Sequence, residues 1–159
     1  MRTLPADPGL LTVACDGAAR GNPGPAGIGA VVADGDGRVL AEIAEGIGVA
    51  TNNVAEYKAA IAGLGRAAEL GGRRILVRSD SRLLVEQLKG RWRVKNATLI
   101  VLHTEARKLA KTFDSVSYEH VPRELNKHAD RLANRGVDDW LKGPGRGHSR
   151  PAAEPGLFE

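Results

Sequence analysis

The apolar positions fall into short runs in the first third of the chain and into helically spaced sets after it. The runs at 10–15 and 28–33 are too short for ordinary helices and predict buried strands. A glycine- and proline-rich turn separates them, and Asp34-Gly35-Asp36-Gly37 predicts a second turn before a third strand over 38–49. Connections this short predict three consecutive antiparallel strands.

From residue 54 onward the spacing changes. Apolar residues recur every three or four positions from 54 to 70, and Gly71-Gly72 ends the predicted helix. The elements predicted after it are a strand over 75–78, helices over 82–88 and 97–111, a strand over 116–121 and a helix over 124–141. Because strand–helix–strand connections favour parallel neighbours, the first and fourth strands are expected to be parallel. The predicted fold class is therefore α/β, with a mixed five-stranded sheet flanked by helices, in the order βββαβααβα.

Length and composition fit one globular domain. The chain has 159 residues, of which 42% are hydrophobic and 26% charged. We expect a disordered N-terminus over 1–9, a domain over 10–142 and a Gly/Pro-rich tail or linker over 143–159. No apolar run approaches the ~20 residues of a membrane span, so a cytoplasmic monomer without membrane contact is expected. The lone Cys15 excludes an internal disulfide and a cysteine metal cluster.

Charge is distributed unevenly. Residues 66–111 hold 12 basic and 4 acidic side chains, a balance of +8, whereas the residues before them carry −3 and those after them −1. A basic middle between acidic flanks is typical of a polyanion-binding protein with a carboxylate cluster. A solvated helix face is the alternative.

Four acidic residues stand at comparable places in the predicted elements. Asp16 lies at or near the end of the first strand and Asp80 follows the fourth, where open α/β sheets bind ligands. Glu56 lies in the first turn of the long helix, and Asp130 about two turns into the last. Four carboxylates in one crevice repel one another and need cations to stay ionised. Oxygen ligands without cysteine or a histidine pair favour Mg²⁺ or Mn²⁺ over Zn²⁺.

Each acid also has an ordinary structural explanation. Asp16 could lie on the surface of a simple hairpin. Glu56 could close a capping box with Asn53. Asp130 could pair with a basic neighbour on its own helix, Lys127 or Arg131.

The segments around the four acids resemble the motifs of the type 1 ribonuclease H family. They are Asp16-Gly17 with Gly21 to Gly27, Thr51-Asn52-Asn53-Val54-Ala55-Glu56, Ser79-Asp80-Ser81, and His120 to Asn126 with Ala129-Asp130. The match covers residues 10–140 in the family's order. It implies the ribonuclease H-like fold and an endonuclease that hydrolyses the RNA strand of RNA–DNA hybrids, leaving 5′-phosphate and 3′-hydroxyl ends. It also implies two Mg²⁺ ions as cofactors, with Mn²⁺ able to substitute.

The resemblance implies a role for each matching residue. Asp16 would bridge both ions, and Asp130 would complete the ion that activates water. Glu56 and Asp80 would hold the ion on the leaving-group side. The implied nucleic-acid contacts are Gly17, Asn22, Thr51, Asn52, Asn53, Ser81 and Arg82. Among these, the asparagines would read the minor-groove edge that carries the RNA 2′-hydroxyl.

His120 matches a family histidine that aids product release. Because its segment continues a strand rather than a flexible loop, a packed, hydrogen-bonded histidine is the alternative. The remaining histidines, His103, His128 and His148, are interpreted as structural or solvated.

The segment Lys89 to Asn96, called the basic connector below, stands where many family members carry a basic helical protrusion. Its Trp92 either contacts a phosphate backbone with its basic neighbours or packs on the core. The shorter form is similar to archaeal and actinobacterial members, some of which are fused to a C-terminal phosphatase domain. The tail from Gly143 is thus interpreted as a linker stub or a plain chain end. The alternative function is a non-catalytic nucleic-acid-binding module on the same fold, and the presence of all four acids favours the enzyme.

Overall fold

The computed structural model describes residues 9–143, so the predicted N-terminal segment and tail lie, apart from Gly9 and Gly143, outside the described residues. The strands are β1 Leu10–Ala19, β2 Gly24–Asp34, β3 Val39–Ala50, β4 Arg74–Ser79 and β5 Ser115–His120. The helices are α1 Asn52–Glu69, α2 Arg82–Leu88, α3 Ala97–Ala110 and α4 Lys127–Lys142, with a 3₁₀ turn over Arg123–Leu125. The predicted order of elements is confirmed.

The five strands form one mixed sheet in the order β3-β2-β1-β4-β5. β1, β2 and β3 pair antiparallel, whereas β4 runs parallel to both β1 and β5. The ladder between β1 and β4 ends at Ala14 and Arg78, but the ladder between β1 and β2 continues to Ala19 and Ala26. β1 therefore parts from β4 after Ala14, at the carboxyl end of β4 and five residues before β1 itself ends.

The helices cover both faces of the sheet. Val13 of β1 packs with Ala59 and Leu64 of α1 in the main hydrophobic core, which α3 also joins through Leu102. On the opposite face α4 lies against β2 and β3 and buries Val137 completely. Because α1 and α4 sandwich β1 and β2, residues on each helix can reach the open end of the sheet beside β1.

Three predicted boundaries were wrong by three residues or more, among them the start of the second strand, which was expected at Ile28 but lies at Gly24. The first strand was expected to end at Cys15 but runs to Ala19, because the antiparallel ladder with β2 continues past Gly17 to the pair of Ala19 and Ala26. The last helix was expected from Glu124 but begins at Lys127, because the preceding residues form the 3₁₀ turn and Asn126 has φ −122° and ψ 23°. Asp130 therefore lies in the first turn of α4 rather than about two turns in.

α1 also begins earlier than predicted. Thr51 is its N-cap, and the Thr51 side chain accepts a hydrogen bond from the Val54 N–H at 3.2 Å. Glu56 is consequently the fifth residue of α1 and lies in its second turn rather than its first. Among the helices of residues 9–143, none combines the length and apolar character that crossing a bilayer requires.

Candidate metal centre and nucleic-acid interface

Gly17 sets the approach of α1 to β1. A Cβ at this position would collide with the backbone of Ala55 and Glu56, so only glycine allows the helix to lie this close. The Gly17 N–H donates a hydrogen bond to Glu56 Oε1 at 3.0 Å. Because Gly17 follows Asp16 directly, this contact brings the Glu56 carboxylate to the open end of β1.

A second glycine sets the approach of α4. Gly29 of β2 pairs with Asp16, and a Cβ on Gly29 would collide with Ala129 O and Ala133 N of α4. The first turn of α4 therefore lies directly against the strand pair that carries Asp16. Asp130 follows Ala129 in that turn, and its side chain hydrogen-bonds Asp16.

Three of the predicted acids form one compact group. Asp16, Glu56 and Asp80 each offer a carboxylate oxygen, and these oxygens all lie within 4.8 Å of one another. Asp80 reaches the group from the residue after β4. Asp130 joins through its bond to Asp16, and Asn134 Nδ2 donates to the Asp130 carbonyl at 3.0 Å. The structure thus brings together all four acids that the sequence predicted.

The electrostatics of this group favour a bound cation. Burial, followed by the negative charge of Glu56, raises the pKa of Asp16 to about 9. Burial, followed by the charge of Asp80, raises the pKa of Glu56 to about 8, although the Gly17 N–H and the charge of Arg123 lower it. Without a cation both carboxyls hold protons near neutral pH. A divalent ion fits the all-oxygen donor set and would replace those protons.

The ordinary explanations for single acids were wrong. Asp16 is only 5% exposed, so it is not a surface residue of a simple hairpin. Glu56 hydrogen-bonds Gly17 instead of closing a capping box with Asn53. Within residues 9–143, the ion pairs do not include Asp130.

Next to the acids, the β1–β2 loop is bonded to the start of α1 through two asparagines. Asn22 Oδ1 accepts from the Asn52 N–H at 3.0 Å, and Asn52 Oδ1 accepts from the Ala19 N–H at 3.0 Å. Both side-chain oxygens are therefore occupied, and each amide keeps its NH₂ group for a ligand. Asn53 is exposed beside them, and the part of the chain that the structure describes gives its side chain no hydrogen-bond partner.

The other predicted contact residues surround the same cleft. Ser81 caps α2 by accepting from the Leu84 N–H at 3.2 Å, and Arg82 is the exposed first residue of that helix. His120 ends β5 opposite Ser79 and is exposed, so the packed-histidine alternative was wrong.

The other histidines were interpreted as structural or solvated. His103 Nε2 lies 3.0 Å from Gln87 O, and His128 Nε2 lies 2.6 Å from Glu42 Oε2. His148 lies outside the described residues.

The basic connector lies on the surface between α2 and α3. Trp92 is 44% exposed, so the alternative in which it packs on the core was wrong. The backbone of the connector is held in place, because buried Gln87 donates from Nε2 to Arg93 O at 3.1 Å. Arg91 lies 3.5 Å from Glu86, while Arg93 and Lys95 have no ion-pair partner within residues 9–143.

Two residues of this region were missed as individual sites. Asn126 is 2% exposed and donates to the Cys15 carbonyl, and Asn134 links Asp130 to Arg20 of the β1–β2 loop. One signal could have pointed to Asn126, because it stands inside the last of the four motifs. Asn134 lies outside the four motifs, so no comparable signal pointed to it.

Comparison with known proteins places these features in one family. A family model described as Reverse transcriptase-like matches residues 14–136. Among curated relatives, the bifunctional protein Rv2228c of Mycobacterium tuberculosis is 52% identical over 129 residues, covering 80% of this chain and 35% of the relative. Ribonuclease HI of Halobacterium salinarum is 49% identical over 124 residues, covering 78% of this chain and 62% of the relative. The chain therefore spans about a third of the mycobacterial relative's length and less than two thirds of the archaeal one's.

Solved structures give the same result for the fold. The N-terminal RNase H domain of Rv2228c superposes with a TM-score of 0.80 at 52% identity, covering 81% of this chain and 99% of that one. LC11-RNase H1, solved in complex with an RNA/DNA hybrid, superposes with a TM-score of 0.79 at 39% identity, covering 82% of this chain and 99% of that one. The predicted sheet topology matches these structures.

Proposed function

The chain belongs to the type 1 ribonuclease H family, and from that membership and its four-acid cleft we propose that it hydrolyses the RNA strand of RNA–DNA hybrids. The observation that carries this proposal is the group formed by Asp16, Glu56 and Asp80, whose ligand oxygens lie within 4.8 Å of one another. A non-catalytic binding module has no need for buried carboxylates that repel one another.

The proposed cofactor is a pair of Mg²⁺ ions, for which Mn²⁺ can substitute. Asp16, Glu56, Asp80 and Asp130 would hold them, and the raised pKa values of the first two indicate a group that gains from a bound cation. Bound ions of this kind activate a water and stabilise the leaving oxygen of a phosphodiester. The proposed products carry 5′-phosphate and 3′-hydroxyl ends.

Recognition of the RNA strand is proposed for the asparagines at the β1–β2 loop and the start of α1. Since the Oδ1 atoms of Asn22 and Asn52 each already accept a backbone N–H, the NH₂ groups of these two residues are the ends best placed to bind a ligand, as donors. Base edges in the minor groove and the oxygen of a 2′-hydroxyl are acceptors, which suits such donors. Asn53 adds an amide that has no hydrogen-bond partner within residues 9–143.

The remaining contacts are proposed with the same cleft. Thr51 would hold a phosphate of the DNA strand, and Gly17, Ser81 and Arg82 would contact the hybrid close to the acids. His120 is exposed at the end of β5, which suits a role in product release. The basic connector would bind the phosphate backbone through Arg93 and Lys95.

Two relatives bear on the substrate and on the whole protein. LC11-RNase H1 was solved with an RNA/DNA hybrid, which supports the same substrate class for this chain. Rv2228c is named as bifunctional and carries its RNase H domain at the N-terminus, which supports a C-terminal partner domain here. A phosphatase as that domain, a monomeric state and a cytoplasmic location stay predictions.

The test is a cleavage assay on labelled RNA–DNA, RNA–RNA and DNA–DNA duplexes, with Mg²⁺ and with EDTA. We expect cleavage of the RNA strand of the hybrid alone, and only with Mg²⁺. Binding of the hybrid without cleavage at any Mg²⁺ or Mn²⁺ concentration would favour the non-catalytic module. Cleavage of the DNA strand would favour another nuclease of the wider superfamily.

A further inference from the structure

Asn126 lies at the junction of the 3₁₀ turn and α4 and is 2% exposed. Its Nδ2 donates a hydrogen bond of 2.9 Å to the carbonyl of Cys15, 111 residues earlier in the chain. Cys15 immediately precedes Asp16. The ladder between β1 and β4 ends at Ala14, one residue before Cys15. The amide thus bonds the β1 backbone just beyond the point where pairing with β4 has stopped.

Asn126 also forms a backbone hydrogen bond with Asp130. The backbone carbonyl of Asn126 accepts the Asp130 N–H at 3.1 Å, and the side chains of Asp130 and Asp16 hydrogen-bond each other. One residue therefore holds the backbone beside both acids. We propose that Asn126 is a positioning residue that sets the spacing of the Asp16 and Asp130 carboxylates, and through that spacing their affinity for a divalent cation. This inference rests on the proposed function, since it concerns the same acids.

The other end of the Asn126 side chain distinguishes positioning from ordinary stabilisation. Its Oδ1 is buried and has no hydrogen-bond partner within residues 9–143. Exchanging the two amide atoms would turn an oxygen toward the Cys15 carbonyl, so the orientation of the amide is fixed. A buried acceptor without a donor lowers stability, and a residue that served stability alone would have both polar ends satisfied. A stability cost retained beside a charged cluster indicates a functional constraint.

Asn126→Leu separates the two roles. Leucine removes the unsatisfied oxygen but leaves the Cys15 carbonyl without its amide donor, so one unsatisfied acceptor replaces another. The melting temperature in EDTA is therefore expected to stay within about 4 °C of the parent chain. Mn²⁺ affinity, measured by titration calorimetry on the free protein, is expected to fall at least about fivefold. On hybrid, kcat is expected to fall about tenfold while KM changes by less than about twofold.

Val137→Ala is the matched control. Val137 is fully buried on the same helix, but it lies about two turns beyond Asp130 and packs against the sheet at Gly27. This substitution is expected to lower the melting temperature while leaving Mn²⁺ affinity and kcat unchanged at temperatures where the protein stays folded.

The proposal is overturned if Asn126→Leu keeps the parent Mn²⁺ affinity and kcat, or if both fall in proportion to lost stability as in a control destabilised to the same extent. If Asn126→Leu does not fold, Asn126→Ser removes the amide without adding bulk, and the same measurements and criteria apply. A parent chain that binds Mn²⁺ but cleaves no hybrid contradicts the proposed function, whereas the comparison of Mn²⁺ affinities still decides the role of Asn126.

Discussion

The acid cleft and the basic connector carry opposite charge and are built in opposite ways. The cleft holds its carboxylates against backbone, at positions where glycines let two helices approach the sheet, and burial raises the pKa values of Asp16 and Glu56. The connector exposes its basic side chains and Trp92 to solvent, and its backbone is fixed by hydrogen bonds to Glu86 and Gln87. Chemistry at a phosphodiester needs charges at fixed distances in a poorly solvated site, whereas attraction of a polyanion works through water.

This difference predicts that removing one acid from the cleft nearly abolishes hybrid cleavage. Asp16→Asn is expected to lower hybrid cleavage by orders of magnitude. Asp16 lies in the group with Glu56 and Asp80 and is also hydrogen-bonded to Asp130, so its loss affects the whole proposed metal site. The same change removes a carboxyl that has to stay protonated in the metal-free fold, so the melting temperature in metal-free buffer at neutral pH should rise. Activity assays on nuclease-free preparations and thermal melts in EDTA measure the two effects. Retained activity in Asp16→Asn contradicts the proposed metal-dependent mechanism.

Gly29→Ala tests whether the close approach of α4 to β2 is needed to place Asp130 in the cleft. The added Cβ collides with the Ala129 carbonyl, so α4 has to move and carry Asp130 with it. Overpacking of this kind costs about 1–3 kcal/mol of unfolding free energy, and more where backbone is the obstacle. Chemical denaturation and hybrid cleavage should both show the loss.

Gly65→Ala is the control for that experiment. Gly65 lies within α1, and a Cβ there meets nothing within 4 Å. Alanine should therefore stabilise the helix by roughly 0.5–1 kcal/mol and leave cleavage unchanged. Equal losses in the two variants would show that the close approach at Gly29 is not what places Asp130.

Asn53→Ala tests the proposed recognition of the RNA strand at the start of α1. Because Thr51 rather than Asn53 caps α1, the change should cost little stability. Loss of one amide contact to the RNA strand is expected to lower kcat/KM on hybrid about tenfold, or about 1.4 kcal/mol of transition-state binding. Thr51→Ala, by contrast, should lose about 1 kcal/mol of stability through the missing cap. A fall in melting temperature alone for Asn53→Ala removes this residue from strand recognition.

Changes in the connector are expected to be graded. Replacing Arg91, Arg93 and Lys95 together by alanine should raise KM severalfold, flatten its dependence on salt and leave kcat nearly unchanged. Steady-state kinetics at four or more salt concentrations measure both slopes. An unchanged salt dependence would assign the connector to the solvated-face alternative.

The last expected effect is a dependence of stability on pH. With pKa values of about 9 for Asp16 and about 8 for Glu56, the folded chain binds protons more tightly than the unfolded chain, whose carboxyls titrate near pH 4. The contribution of these protons to stability is complete below about pH 4 and is lost as the pH rises toward 9. Metal-free melting temperatures between pH 5 and 9 should show this decline, and Asp16→Asn should make it shallower.

Much of the fold could be predicted from sequence because its signals are local. A cap bonds the backbone three residues ahead, so Ser81 marks the start of α2 wherever the rest of the chain lies. The α2 boundaries agreed with the prediction for this reason. Alternating and helical spacing identified the other elements, and four acids inside four motifs identified the cleft.

Only the tertiary structure decided how these parts meet. The first strand ran past its predicted end because β2 supplied a ladder, and the last helix started late because a 3₁₀ turn intervened. Glu56 reaches Gly17 across 39 residues and Asn126 reaches Cys15 across 111. Contacts between residues distant in the chain also set the distances between the acids and raise the pKa values of Asp16 and Glu56. They supply the backbone N–H groups that the Asn22 and Asn52 oxygens accept. The sequence by itself determined which side chains carry the chemistry, since residue type and local spacing need no partner. Their separation and desolvation came from packing, because a carboxylate's environment is made by elements far away in the chain.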